Sequence, residues 1–212
     1  MENSQQQSLI SEVADYYTNK IRLYGETPRG VDWNGDQSQM LRFEQLSKII
    51  LKRNDFTLND LGCGYGALLD FLNKDFSKFS YCGIDISGEM IDVALKRYKD
   101  EDEVRFIKSS IPDVSANYGI ASGIFNVRLG RADEEWFNYL VATLDILNET
   151  SSEGFAFNCL TLYSDEHKKK ESLYYADPCK IFALCKKRYS KEVALLHDYG
   201  LYEFTILVRK LV

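Results

Sequence analysis

From Phe56 onward, short apolar runs alternate with stretches of helical spacing, the pattern left by a parallel sheet covered with helices. The runs predict strands at 58–61, 80–84, 104–107, 120–125, 154–160, 193–198 and 202–209. Between them, apolar positions recurring every three or four residues predict helices over 67–75, 88–99, 134–148 and 178–189, with Ser87, Asp133 and Asp177 as N-caps. Only about three residues separate the last two strands, too few for a helical crossover, so an antiparallel hairpin is expected there. Ahead of this block, Leu9, Ile10, Val13 and Tyr17 predict a helix over 8–17, and another is expected over 37–51. The joining segment, with Arg22, Tyr24, Pro28, Gly30, Val31 and Trp33, is rich in aromatic and turn residues and reads as a lid.

Composition narrows the classes. The chain has 212 residues, 45% hydrophobic and 27% charged, which fits one domain with its own core and only a loose start. A net charge of -6, from 26 basic and 32 acidic residues, argues against a nucleic-acid surface. The basic runs Lys168-Lys169-Lys170 and Lys186-Lys187-Arg188 read as solvated helix faces. Five cysteines without a C-x-x-C pair suit a reducing cytoplasm, and no apolar run approaches the ~18 residues of a membrane helix. A cytoplasmic protein without nucleic-acid or membrane partners is therefore expected. Its acids and histidines show no familiar metal-ligand spacing, so no metal is expected.

The chemistry concentrates in Asn59-Asp60-Leu61-Gly62-Cys63-Gly64-Tyr65-Gly66 and, at the end of the next strand, Asp85. Glycines on alternate positions between a strand and a helix let the backbone turn sharply and approach a ligand that a Cβ would push away. A carboxylate about 20 residues further on is where ribose hydroxyls are held in nucleoside-binding sheets. Gly62, Gly64 and Ala67 also satisfy the dinucleotide pattern. Asp60 separates the two readings, because an anion beside the ligand repels a pyrophosphate and attracts an ammonium or sulfonium.

On the D-L-G-C-G-x-G string, residues 56–212 resemble the class I S-adenosylmethionine-dependent methyltransferases. The resemblance implies an α/β fold with a seven-stranded, mostly parallel sheet, its last strand antiparallel, and helices on both faces. Residues 1–55 would form an N-terminal helical lid on the same domain. It further implies S-adenosyl-L-methionine as cofactor, with Asp60, Gly62, Cys63 and Gly64 along its methionine half, Asp85 on the ribose diol, and Ile86 and Met90 near the adenine. Ser109, Ser110 and Ile111 match the adenine contact by position. Arg42 is the counterpart of a lid arginine that holds the methionine carboxylate. Each has a plainer reading as well: Cys63 as a small buried residue, Met90 as helix packing, the serines as a turn, Arg42 as a surface residue.

A methyl acceptor would meet the loops 122–128, 163–177 and 197–199 at the carboxyl ends of the strands. His197 is the first candidate for general base, with Asn126 and Asp177 as further catalytic candidates. Phe125, Arg128, Tyr174, Tyr175 and Tyr199 are expected to line the acceptor pocket. The sequence Ser122-Gly123-Ile124-Phe125-Asn126 lacks the Asn/Asp-Pro-Pro-aromatic signature of the family's amino-directed DNA enzymes. Transfer to oxygen or nitrogen of a small polar metabolite is therefore the expected function. The alternatives are a protein or peptide methyltransferase, a non-catalytic cofactor-binding or regulatory protein, and an NAD-dependent dehydrogenase. No oligomeric state is legible.

Overall fold

The computed structural model describes residues 2–33 and 35–210, without the side chains of 2–6. Its elements run α1 (Glu2–Tyr24), α2 (Asp36–Ser47), β1 (Phe56–Leu61), α3 (Ala67–Leu72), β2 (Phe79–Asp85), α4 (Gly88–Arg97), β3 (Val104–Lys108), β4 (Ala116–Ala121), α5 (Asp133–Thr150), β5 (Ser151–Leu160), α6 (Pro178–Arg188), β6 (Glu192–Leu196) and β7 (Glu203–Arg209). A 3-10 turn, Pro28–Val31, joins α1 to α2. The expected loose start is partly overturned: the backbone is helical from Glu2, and Met1 lies outside the described residues.

The strands form one seven-stranded sheet in the order β3-β2-β1-β4-β5-β7-β6, with β7 antiparallel to both its neighbours and the other pairings parallel. The sheet thus has the expected topology. Its order reverses between β1 and β4, and ligands of open parallel sheets bind in the crevice that such a reversal opens at the carboxyl ends. The core lies in two layers. Tyr81, Leu58 and Leu207 pack with α2, α3 and α4 on one face, while Ile84, Phe157 and Ile206 pack with α5 and α6 on the other.

Two boundaries differ from expectation in ways that matter for the site. The fourth strand starts at Ala116 and ends at Ala121, four residues earlier than its apolar content suggested. Asn117 and Gly119 disguise it, yet Gly119 sits in close packing, where a Cβ would come within 2.4 Å of Ser151 Oγ and 3.2 Å of Leu147 Cδ2. The sixth strand ends at Leu196, so His197 belongs to the loop before β7 rather than to the strand. Of the expected caps, Ser87 accepts from Met90 N and Asp177 from Cys179 N and Lys180 N. Asp133 is instead the first residue of α5, with Ala132 at the cap position.

The crossover from β3 to β4 consists of residues 109–115 alone and holds no helix. A parallel crossover normally carries one, because about a dozen residues are needed to return along the sheet and cover its face. Here α1 does the covering: Leu9 and Val13 are buried in the same cluster as Leu61, Cys82 and Ile84.

Candidate active site

The crevice is built first by the glycine loop after β1. Gly62 and Gly64 have φ of 81° and 55°, and a Cβ on Gly62 would stand 2.1 Å from Ile124 Cγ2. Only glycine allows both the left-handed turn and that approach of the loop after β4. Gly62 N and Cys63 N both donate to Ile84 O, at 2.7 and 3.1 Å, which pins the loop to the end of β2.

Asp85 closes the same corner. Its Oδ2 accepts Gly64 N–H at 2.9 Å and its Oδ1 accepts Ser87 N–H at 2.8 Å. Burial raises the carboxyl above its usual range, and these backbone donors pull it back. Asp60 lies deeper, with Tyr81 Oη donating to its Oδ2 at 2.5 Å. Burial pushes its pKa up to about 7; the tyrosine opposes this and the charge of Asp85 adds to it. Two buried carboxylates beside a glycine-lined crevice, with no lysine or arginine among the residues that line it, make a seat for a cation-bearing nucleoside and a poor one for phosphates.

These groups open on a cavity of about 1130 Å³ counted out through its open mouth. Asp60, Gly62, Cys63, Gly64, Asp85, Ile86, Met90, Ser109, Ser110 and Ile111 all line it. The Cys63 thiol is held well above its normal range by burial, so it presents a neutral wall. Ser109 Oγ both donates to Ile111 O at 2.7 Å and accepts Ile111 N–H at 3.1 Å, the turn its plainer reading described. Ser122, after β4, also lines the cavity, and its buried Oγ has no partner among the described residues.

Three further walls complete the cavity, two of them from the N-terminal segment expected as a lid and one, on α5, not foreseen. Helix α1 contributes Ile10, Val13 and Tyr17, and it is strapped down at both ends, by Arg131 to Glu12 and Ser8 and by Thr18 to Ser87 and Glu89. Helix α5 contributes Tyr139, Thr143 and Ile146, which reach the cavity where the β3–β4 crossover carries no helix. Val31 and Trp33, with Gln39 and Phe43 of α2, close the opposite side.

Arg42 does not line the cavity. It is buried, its Nε and Nη2 donate to Glu203 at 2.7 Å each, and its guanidinium carbon lies 3.9 Å from the Trp33 ring centroid. The surface reading of Arg42 is therefore corrected: Glu203 arrives from β7 and takes two of its nitrogens, leaving Nη1 buried without a partner among the described residues.

The acceptor-side candidates are not brought to the cavity either. Asn126 Oδ1 accepts Leu160 N–H at 3.1 Å, and the Asp177 carboxylate caps α6. His197 packs between Tyr163, tilted at 34°, and Phe204, edge-on at 70°, at ring separations of 6.2 and 6.1 Å. Phe125 is core, its carbonyl accepting Trp136 Nε1–H at 2.7 Å. Arg128 is spent on the carbonyls of Leu173 and Arg131. Tyr174 is buried against the 126 segment, Tyr175 Oη accepts Lys170 N–H, and Tyr199 Oη pairs with Thr205 Oγ1 at 3.0 Å. Among the described residues no group of acids, histidines and cysteines is arranged to hold a metal.

Residues 59–147 match the family model described as a methyltransferase domain. A Mycobacterium tuberculosis protein named "Putative methyltransferase Rv1506c" is 57% identical over 163 residues, covering 77% of this chain and 98% of that protein. Among solved structures, the DhpI complex with S-adenosylhomocysteine superposes with a TM-score of 0.65 at 15% identity, covering 95% of this chain and 96% of that one. The N-methyltransferase NodS of Bradyrhizobium japonicum, also bound to S-adenosylhomocysteine, gives 0.65 at 14%, covering 93% and 97%. The fold of these structures, the glycine cradle between two buried carboxylates and the close relative agree: the chain belongs to the class I S-adenosylmethionine-dependent methyltransferases.

Proposed function

We propose that the acceptor is a small molecule attacked at oxygen or nitrogen, and that the part of it entering the cavity is uncharged and largely apolar or aromatic. One observation carries this: among the described residues Asp60 and Asp85 are the only charged ones lining the cavity, and the remaining walls are aliphatic, aromatic, sulfur-bearing, hydroxyl or amide. A carboxylate or phosphate acceptor would find no cation there, at a desolvation cost nothing offsets. This departs from the small polar metabolite expected from sequence, confining polarity to the attacking oxygen or nitrogen.

In this reading Asp85 accepts the ribose hydroxyls, Ser109, Ser110 and Ile111 border the adenine, and Asp60 faces the cationic end. The bound cofactor supplies an electrophilic methyl group. The chain supplies alignment, worth up to ~7–11 kcal/mol for well-oriented partners. Among the described residues no histidine or lysine lines the cavity, and burial keeps the phenols of Tyr17 and Tyr139 protonated, so with both carboxylates given to the cofactor the acceptor's proton goes to solvent. His197→Ala is accordingly expected to leave turnover within about threefold, far from the 10²–10⁴ that a general base contributes.

A panel of phenols, neutral amines, carboxylic acids, phosphorylated metabolites and peptides, incubated with labelled methyl donor, tests the class. Transfer to phenols or amines is expected. Transfer confined to acids or phosphorylated compounds would refute the neutral-acceptor reading, and peptides alone would move it to protein methylation. Tight cofactor binding with no product anywhere would favour a non-catalytic binding protein.

The Asp60 carboxyl adds a pH signature. With its pKa near 7 in the free protein, it is ionised only above that pH, and a neighbouring cation stabilises the ionised form. Cofactor affinity is therefore expected to be full above pH 7 and to fall by up to about tenfold per pH unit below it. Stability runs the other way. From 3.8, the unfolded value, up to about 7 the folded protein holds a proton that the unfolded chain has lost, so this group's contribution declines as pH rises through that window. Calorimetric titrations between pH 5.5 and 8 check the first effect, and Asp60→Asn should flatten it.

A further inference from the structure

The linker between α1 and α2 lies across the crevice and meets both of its lips. A Cβ on Gly64 would come within 2.8 Å of Val31 Cγ1, and one on Gly123 within 2.3 Å of Trp33 Cζ2 and Cη2. Val31 thus rests on the loop after β1, and the edge of the indole rests on the loop after β4. A ring resting on a glycine is held at a distance that no other residue allows, and Gly123 has a φ of 77° besides.

Trp33 is fixed from behind by a closed circuit of buried groups. Arg42 lies against its ring at 3.9 Å. The guanidinium is gripped through two nitrogens by Glu203, whose Oε2 also accepts Asn158 Nδ2–H at 2.7 Å. Asn158 Oδ1 then accepts the N–H of Gly123 at 2.7 Å, the same residue on which the indole sits. The backbone before Trp33 is equally constrained. Asp32 adopts a left-handed φ of 62°, an arrangement that costs a non-glycine residue energy, and Tyr16 Oη and Lys20 Nζ hold its carboxylate at 2.8 and 2.6 Å. Its neighbour's amide, Trp33 N–H, donates to Pro28 O at 2.7 Å.

The direction in which this wall faces follows from the sheet. With ribose at the end of β2 and adenine after β3, the nucleoside occupies one flank of the crevice, and the transferable methyl must point to the other flank, toward the loop after β4. We propose that Trp33 is the wall of the acceptor channel that sets how large a group can stand at the methyl position, and that Arg42, Glu203 and Asn158 are positioning residues that hold it on Gly123. The proposal rests on the cofactor placement given above. It assigns Trp33 to selectivity and leaves nucleoside affinity to the glycine loop and Asp85.

The acceptor need not be known to test this, because donors with a larger S-alkyl group probe the same space. Binding of S-adenosylmethionine, its S-allyl analogue and S-adenosylhomocysteine is measured by calorimetry for the wild type, Trp33→Ala and Trp33→Phe. Trp33→Ala is expected to bind the S-allyl donor at least about tenfold more tightly than the wild type does, with S-adenosylhomocysteine within about threefold. Trp33→Phe should show a smaller gain of the same sign, and it decides the matter if the alanine variant does not fold. Loss of S-adenosylhomocysteine affinity in step with the S-allyl donor would place Trp33 over the nucleoside instead, and unchanged S-allyl binding would remove it from the channel; either overturns the proposal. A wild-type protein that binds none of the three ligands would take down the cofactor placement itself, and the wall with it.

Discussion

Asp85→Asn is expected to weaken S-adenosylhomocysteine binding by about 10²- to 10³-fold. The carboxylate is buried, and each of its oxygens already accepts a backbone N–H, one from the glycine loop and one from the start of α4. Its remaining lone pairs are the acceptors proposed for the two ribose hydroxyls. Hydrogen bonds to a charged group are worth ~1.5–3 kcal/mol each. The amide removes the charge from both and turns one oxygen into a donor, so a loss of about 3–4 kcal/mol follows, which is the stated range at 1.4 kcal/mol per decade. Within the free protein the same change sets an NH2 group against a backbone N–H at a cost of ~1–3 kcal/mol, so the melting temperature falls by several degrees. Calorimetry and thermal shift separate the two effects. An affinity within tenfold of the wild type would mean that the ribose lies elsewhere.

The residues behind this result were legible in the chain because their signals are local. A glycine at every second position and a carboxylate at a strand end follow from what a backbone must do to approach a nucleoside, and no distant partner is needed. The sheet was legible for the same reason, except where β4 is built around Asn117 and Gly119 and so resembles a turn. On the lid side the segment was legible, but not which helix residues face the cavity. Ile10, Val13 and Tyr17 have the spacing of any amphipathic helix, and Tyr139, Thr143 and Ile146 that of any helix packed on a sheet. They face a ligand cavity because the crossover at 109–115 is too short for a helix, a consequence visible only after β3 and β4 are placed. His197 was misplaced by a strand that ends two residues earlier than its pattern suggested, and Asn126 and Asp177 are consumed by a loop and a helix cap.

Glu203 gave no sequence signal at all, because a glutamate at a strand's start reads as exposed until its partner arrives from 161 residues away. Its side chain is 2% exposed and that of Arg42 is 7%, so this is a desolvated pair. Removing one partner of such a pair costs ~3–5 kcal/mol, mostly because the other charge is left buried alone. Glu203→Gln is therefore expected to lower stability by about 3 kcal/mol or more, a fall of roughly 6–12 °C in melting temperature for a chain of this size. The two halves of the pair are not equivalent. A carboxyl that loses its cation can take up a proton, whereas a guanidinium cannot release one. Arg42→Met should thus be milder at pH 5 than at pH 8, while Glu203→Gln should be severe at both. Replacing both, as Arg42→Met with Glu203→Leu, removes the stranded charge and is expected to recover most of the loss, since well-packed apolar pairs commonly substitute for buried ion pairs without penalty. Urea denaturation of the three variants at the two pH values measures this. If the double variant were no more stable than Glu203→Gln, the pair's worth would lie in its hydrogen bonds to Asn158 and its stack on Trp33 rather than in charge balance.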